Sequence, residues 1–279
     1  MARALEHQVA IVTGAGRGFG RAIALRFAAE GAAVTVTART RRQLDAVVAE
    51  IANAGGRALA VDGDVTSQRD VARVIALTEE HFGPATLLVS NAGVPGPFGP
   101  IWAVDWQAWW SAQQVHILAP LLYLRHVMPG MVERRAGRII IVSAIASRMV
   151  APHLSAYCVG KIAQTRITAQ AAAEAQGFGV SVFAIDPGFV FTDIAAETMN
   201  SPDAQRWLPA MVARLREKQA EPNKDADLAR CAQRCVDLAA GRYDALTGRY
   251  LELQDDLDAL LRTGVTAPGS TAGSRPAAQ

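Results

Sequence analysis

Apolar residues in this chain come in short runs separated by amphipathic stretches, and the alternation persists to about residue 262. Short apolar runs bounded by Gly, Pro, Asn or Asp read as buried strands, and apolar positions three and four apart read as helices. By that rule strands are predicted at Val9 to Val12, Val34 to Ala38, Ala58 to Val61, Leu87 to Val89, Arg138 to Val142, Val180 to Ile185 and Tyr250 to Leu253. The first helix carries Ala22, Ile23, Leu25, Phe27 and Ala28 and stops at Glu30-Gly31, with Gly31 closing it. The second carries Leu44, Val47, Val48 and Ile51 and stops at Gly55-Gly56. A third, capped by Thr66 or Ser67, carries Val71, Val74, Ile75 and Leu77 and ends at Gly83-Pro84. Further helices are expected over 104–134, 155–175 and 225–239, with a less regular helical region over 192–221. Strands alternating with helices predict an α/β fold: one doubly wound parallel sheet of about seven strands, with helices on both faces and right-handed crossovers. Residues 1–263 form one expected domain, and the Gly, Pro, Ser, Thr and Ala of 264–279 are expected to be a disordered tail.

Composition narrows the class. The 279 residues are 51% hydrophobic and 19% charged, with a net charge of +2, which suits a globular enzyme and gives no reason to expect nucleic acid or a membrane as partner. The three cysteines make no disulfide framework and point to a reducing compartment. Cys231 and Cys235 lie four apart on an expected helix with no neighbouring His or second Cys pair, which favours core packing over a metal site. No signal-peptide pattern opens the sequence and the uninterrupted apolar runs are short, so the cytoplasm is the expected location.

The first strand runs into Thr13-Gly14-Ala15-Gly16-Arg17-Gly18-Phe19-Gly20, and a helix follows at once. Glycines at Gly14, Gly18 and Gly20 allow a tight turn and a close backbone approach, and the helix start offers unpaired N–H groups and the positive end of its dipole. Strand, glycine turn and helix in that order make a cradle for the pyrophosphate of a dinucleotide. Arg39, Asp64, Asn91, Ser143 and Pro187 also fall at strand C-terminal ends, where such sheets bind ligands.

Tyr157 and Lys161 are four apart on an expected helix and share a face. A tyrosine is a poor acid or base at neutral pH, and a neighbouring ammonium favours its phenolate; a shift of ~3 units needs roughly 4 kcal/mol of differential stabilisation. On its own, this pair is equally the mark of an ordinary amphipathic helix. Taken in order, however, Thr13-Gly14-x-x-x-Gly18-x-Gly20, Asn91-Ala92-Gly93, a serine after the fifth strand, Tyr157-x-x-x-Lys161 and Pro187-Gly188 resemble the short-chain dehydrogenase/reductase family over about residues 5–262. The resemblance implies a Rossmann fold, an NAD(P)-dependent oxidoreductase and a homodimer or homotetramer. It implies Tyr157 as proton donor or acceptor, and Lys161 as the group that lowers its pKa and binds the nicotinamide ribose. Asn91 and Gly93 would border the cofactor, Asp64 would meet the adenine, and Thr192 would hold the nicotinamide end. Phe19, Val65, Ala92, Pro187, Gly188 and Val190 would line the same path.

Two positions depart from that pattern. The family serine lies thirteen residues before the tyrosine, and here that position is Ala144, with Ser143 one step earlier. With one extra loop residue, Ser143 is the substrate-orienting hydroxyl; otherwise that hydroxyl is missing or comes from elsewhere, Ser147 being a candidate. Where the family often has a helical asparagine supporting a proton relay, this chain reads Gln114-Val115-His116-Ile117. A neutral imidazole both donates and accepts, so His116 either continues a relay or simply packs the helix.

The end of the second strand, Thr37-Ala38-Arg39, lacks the carboxylate that holds a ribose 2′-hydroxyl. Arg39 and Arg17 instead suit a 2′-phosphate, so NADP(H) is expected over NAD(H), with Arg41 and Arg42 as exposed neighbours. Trp102, Trp106, Trp109 and Trp110 either line a substrate pocket or pack a helix or interface; Met199, Trp207 and Leu208 fall where a lid is expected; and Leu118, Leu121, Leu122 and Leu124 could meet a partner helix. The expected reaction interconverts an alcohol and a ketone or aldehyde by hydride transfer. An NAD(H)-linked alcohol dehydrogenase and a non-catalytic dinucleotide sensor are the rivals.

Overall fold

The computed structural model describes residues 3–223 and 225–263, so the expected tail over 264–279 lies outside the described residues. From the N-terminus the chain alternates β1 (Val9–Thr13), α1 (Gly18–Ala29), β2 (Ala33–Ala38), α2 (Arg41–Asn53), β3 (Arg57–Asp62), α3 (Gln68–Phe82) and β4 (Leu87–Ser90). Then come α4 (Trp106–Gln113), a π-helical turn (Gln114–Leu118), α5 (Ala119–Arg134), β5 (Gly137–Val142), α6 (Ser155–Glu174) and β6 (Val180–Ile185). The region read as irregular resolves into α7 (Asp193–Asn200), α8 (Pro202–Trp207) and α9 (Pro209–Ala220), followed by α10 (Ala226–Ala239), β7 (Tyr250–Leu251) and α11 (Leu257–Arg262).

All seven strands join one parallel sheet in the order β3-β2-β1-β4-β5-β6-β7. The order reverses between β1 and β4, so a crevice opens above their C-terminal ends. Because side chains alternate along a strand, Ala10 and Val12 face one layer and Ile11 the other. The first layer buries Phe27, Leu44, Phe183 and Leu251, with Cys231 and Cys235 fully enclosed by it. The second buries Val71, Tyr123, Met131, Ile139 and Val182. Burying both faces explains why the strands read as continuous apolar runs.

Local choices match the sequence. Gly31 adopts φ 96° just past α1, and Ser67 rather than Thr66 caps α3, accepting from the Asp70 N–H. The run Trp106–Arg134 is 29 residues and contains an 18-residue window with a mean hydropathy of 1.2, long and apolar enough by length and composition to cross a membrane. Its Tyr123, Val127 and Met131 pack into the second layer, which makes it a core helix of this sheet. The sequence pattern predicted one continuous helix there and gave no sign of the π-helical turn that interrupts it.

Candidate active site

The glycine turn is held from behind. Thr13 Oγ1 accepts hydrogen bonds from the Asn91 and Ala92 N–H groups at 2.9 and 3.0 Å. Asn91 Nδ2 donates to the Thr13 and Gly14 carbonyls at 2.9 and 3.3 Å. Thr13 and Asn91 therefore tie β1 to β4 and fix the turn's shape, with their side-chain bonds spent on backbone. Gly14 and Gly18 adopt φ of 63° and 54°, a region costly for any other residue. Gly20 shows a different need: a Cβ there would run into the Gly14 carbonyl and Asn91 Nδ2.

Above this turn lies a cleft of about 840 Å³. The turn's Gly14, Gly18 and Phe19 line its floor, Arg39 and Thr40 the end of β2, and Asp64 and Val65 the end of β3. Asn91, Ala92 and Gly93 line the β4 side, and Thr192 and Asp193 cover the far side. The Asp64 carboxylate is drawn into its own turn, accepting from Thr66 N and Thr66 Oγ1 at 2.8 and 2.7 Å, so it shapes the wall. A cavity floored largely by glycine backbone at a helix N-terminus fits the pyrophosphate of a dinucleotide, and the turn offers backbone N–H donors. At α1 the N-cap residue Arg17 makes no side-chain cap bond, which leaves the helix start free of a side-chain competitor.

The two arginines expected to act together diverge. Both line the cleft. Arg17, however, reaches α7, in the region where a lid is expected, with Nη2 2.9 Å from Glu197 Oε1 and Nη1 3.4 Å from Asp193 Oδ2. Pro187, Gly188 and Val190 do not line the cleft; they form the turn that leads β6 into the lid, with Gly188 at φ 87° and Val190 buried. Thr192 caps α7, accepting from the Ala195 N–H.

Tyr157 and Lys161 sit on α6 one turn apart, as the spacing predicts, with Lys161 Nζ 5.4 Å from the Tyr157 ring centre. They lie beyond the cleft lining, and Gly93 is the bridge: a Cβ on Gly93 would be 3.8 Å from Lys161 Nζ and 3.6 Å from His116 Cε1. Lys161 is buried and donates to the Val142 carbonyl at 2.9 Å and to Gln164 Oε1 at 3.1 Å. Its pKa falls to about 7, because burial penalises the ammonium more than nearby Asp186 supports it. The Tyr157 hydroxyl is pushed above its ordinary value, first by burial and then by Asp186 and Cys158. In the protein alone burial is the largest influence on the Tyr157 hydroxyl, with Lys161 Nζ 5.4 Å from its ring centre.

His116 occupies the π-helical turn with no exposed surface. Its Nε2 lies 2.8 Å from the Val94 carbonyl, which can only accept, so Nε2 carries the proton and Nδ1 is a lone pair. Nδ1 is buried and has no hydrogen-bond partner. The ring meets Tyr157 edge-on, with centroids 5.6 Å apart, and its pKa drops to about 3 through burial and then the Lys161 charge. The helix α6 accommodates it through Gly160, where a Cβ would fall 2.7 Å from the His116 Cβ, Cγ and Cδ2. His116 is therefore a neutral imidazole packed on the tyrosine.

Ser143 requires a correction. Its Oγ is buried and donates to the Lys161 carbonyl at 3.0 Å, so it stitches β5 to α6 and does not present its hydroxyl to the cleft. Ala144, one step on, holds the position thirteen before the tyrosine and carries no hydroxyl. Ser147 is also buried, with its Oγ unpartnered, and lines a separate hollow with Trp102, Met149 and Cys158. Sequence reasoning missed Gln164, the side-chain partner of Lys161; its place three residues on, along the same helix face, was the available signal. It also missed Asp193 and Glu197 as partners of Arg17, which only the folded lid brings close.

Known proteins extend this geometry. Residues 8–203 match the family model described as short chain dehydrogenase. A short chain dehydrogenase of Pseudocercospora fijiensis is 32% identical over 274 residues, 96% of this chain and 87% of that protein. A 3-oxoacyl-[acyl-carrier-protein] reductase of Synechocystis is 34% identical over 207 residues, 74% of this chain and 83% of its own length. The crystal structure of a putative NAD(P) dependent gluconate 5-dehydrogenase from Beutenbergia cavernae, with bound NADP, superposes with a TM-score of 0.76 at 29% identity, covering 91% of this chain and 97% of that one.

Proposed function

This chain belongs to the short chain dehydrogenase family, and we propose that it interconverts an alcohol and a ketone or aldehyde using NADP(H), with Tyr157 exchanging the proton. The observation that carries the reading is the placement of Tyr157 and Lys161 behind Gly93, at the end of a cleft whose floor is a glycine turn. A nicotinamide dinucleotide held there supplies or accepts the hydride. The chain's own part is positional and electrostatic. Gly14 to Gly20 and the α1 N-terminus take the pyrophosphate, Asp64 and Val65 border the adenine, and Thr192 closes the nicotinamide end. The Tyr157 hydroxyl gives its proton to a substrate oxygen in reduction and takes it back in oxidation. Lys161, when protonated, favours the phenolate form of Tyr157 and borders the ribose. His116 braces the tyrosine ring, and its Nδ1 lone pair is the open acceptor for a relay.

NADP(H) is favoured because β2 ends without a carboxylate and places Arg39 on the cleft. Tyr157, Met199 and Leu208 all pack against the apolar cluster of Phe98, Leu154, Ala204 and Val212, which favours an apolar carbonyl compound. Exposed Trp106, Trp110 and Leu121 on α4 and α5, with Ile162 on α6, support a homo-oligomer, and the reading places the protein in the cytoplasm. Tyr157→Phe tests the reading with NADPH and a panel of small ketones. Turnover should fall by about 10²–10⁴-fold while NADPH affinity holds. Undiminished turnover would overturn the assignment of Tyr157.

A further inference from the structure

Arg17 is the cation inside the glycine turn, and its guanidinium is held by two carboxylates of the lid. Asp193 and Glu197 are four apart in the first turns of α7 and so share one helix face, which points at Arg17 from across the cleft. The lid is seated on the same turn by a second contact: the Thr192 methyl lies 3.4 Å from where a Gly18 Cβ would be. Arg17, Asp193 and Arg39 all line the cleft.

We infer that Asp193 and Glu197 set the cofactor preference of this protein, by drawing the Arg17 guanidinium to the lid and leaving Arg39 to meet a 2′-phosphate alone. The inference rests on the proposed dinucleotide site and adds to it two acidic residues that act through Arg17. A guanidinium is a planar fork of five donors, and the Nη1 and Nη2 donors turned to Asp193 and Glu197 are not turned to a phosphate. With the lid seated, Arg17 faces Glu197 and Asp193, and its net charge toward the cleft is more than offset by two carboxylates. The side chains are 42%, 53% and 52% exposed for Arg17, Asp193 and Glu197, so water screens the contacts and the pair is exchangeable. A phosphate monoester, with a charge near −2 at neutral pH, is a strong competitor for that fork. Both dinucleotides carry the pyrophosphate, so the 2′-phosphate is the anion that distinguishes them in this contest. The lid's acidic face therefore discriminates between the two nicotinamide cofactors through a residue on the opposite wall.

The test is a cycle of binding measurements by calorimetric titration with NADPH and NADH, on the wild type, Asp193→Asn/Glu197→Gln, Arg17→Ala and the triple variant. The lid double variant should bind NADPH about three- to tenfold more tightly than the wild type and NADH equally. In the triple variant, which lacks Arg17, that gain should vanish. A second readout needs no cofactor: amide hydrogen exchange over residues 193–200 should quicken in both Arg17→Ala and the lid double variant. An equal gain for NADH, or a gain that survives the loss of Arg17, would mean that removing negative charge acts on the whole cofactor, and either result overturns the inference. An unchanged NADPH-to-NADH ratio in the lid double variant overturns it as well. A wild type that binds neither cofactor would overturn the dinucleotide site itself, a failure distinct from the loss of selectivity alone.

Discussion

At the glycine turn the chain offers backbone to the cleft; at the far end, behind Gly93, it offers side chains that are mostly out of water. The first region works by absence. Gly14 and Gly18 supply φ values that side chains resist, and Gly20 leaves room for the Gly14 carbonyl. The second region works by burial. Lys161 titrates at about 7, His116 at about 3, and Tyr157 above its usual range, each chiefly because the charged form has lost its water. A backbone cradle holds a phosphate with little dependence on pH, whereas a buried side-chain cluster is sensitive to it. On the proposed function, phosphate recognition and proton exchange would fall to these two separate regions.

The sharpest way to break this comparison is through pH. Lys161 has a folded-state pKa near 7 against 10.5 for the ordinary side chain, so the unfolded chain binds the extra proton between those values. Stability from this group therefore rises with pH across 7 to 10.5, and Lys161→Met should flatten that rise. His116, near 3 against 6.5, acts with the same sign in a lower window: stability falls as pH drops from 6.5 toward 3, and His116→Asn should remove that fall. Each window is worth on the order of several kcal/mol at most, read by chemical denaturation across pH. A pH-independent difference between wild type and variants would show that burial does not control these groups. NADPH affinity should change far less over the same range.

Steric tests sharpen the comparison further. Gly20→Ala should cost about 3 kcal/mol of stability and abolish measurable dinucleotide binding, because the obstacle is backbone that cannot yield. Gly160→Ala meets the His116 side chain instead and should cost about 1–3 kcal/mol, recoverable by pairing it with His116→Ala. Thermal melts of Gly20→Ala, Gly160→Ala, His116→Ala and the Gly160→Ala/His116→Ala pair decide it; rescue of Gly20→Ala by any side-chain truncation would contradict the distinction. The smallest effect is expected at Ser143. Ser143→Ala removes one buried hydrogen bond to the Lys161 carbonyl and should cost about 1 kcal/mol in a denaturant melt, with turnover per folded molecule unchanged. A large loss of turnover would restore Ser143 to the chemistry.

Much of this site was legible before folding, for a definable reason. Val9 to Val12 followed by Gly14, Gly18 and Gly20 declares a strand, a turn and a helix start, and each of those is a local property of the backbone. Tyr157 and Lys161 share a face because helical periodicity requires it. The fates of Arg17 and Ser143 were not legible, since each depends on what a distant segment brings near. Arg17 meets residues 176 and 180 positions away, and Ser143 meets a carbonyl 18 positions on. The π-helical turn that carries His116 left no trace in the hydrophobic pattern, because apolar periodicity blurs over so short a register shift.

The sequence by itself determined the parallel sheet and the glycine turn, since these follow from hydrophobic period and from where glycine is needed, while the strand order and its reversal between β1 and β4 came with the fold. Only the tertiary structure decided which charges are spent and which protons are free. Lid carboxylates claim Arg17, Val142 and Gln164 hold Lys161, and burial sets the titration of Tyr157 and His116. The physical reason is that conformational preference is local to a few residues, whereas desolvation and ion pairing depend on everything that folding packs around a group.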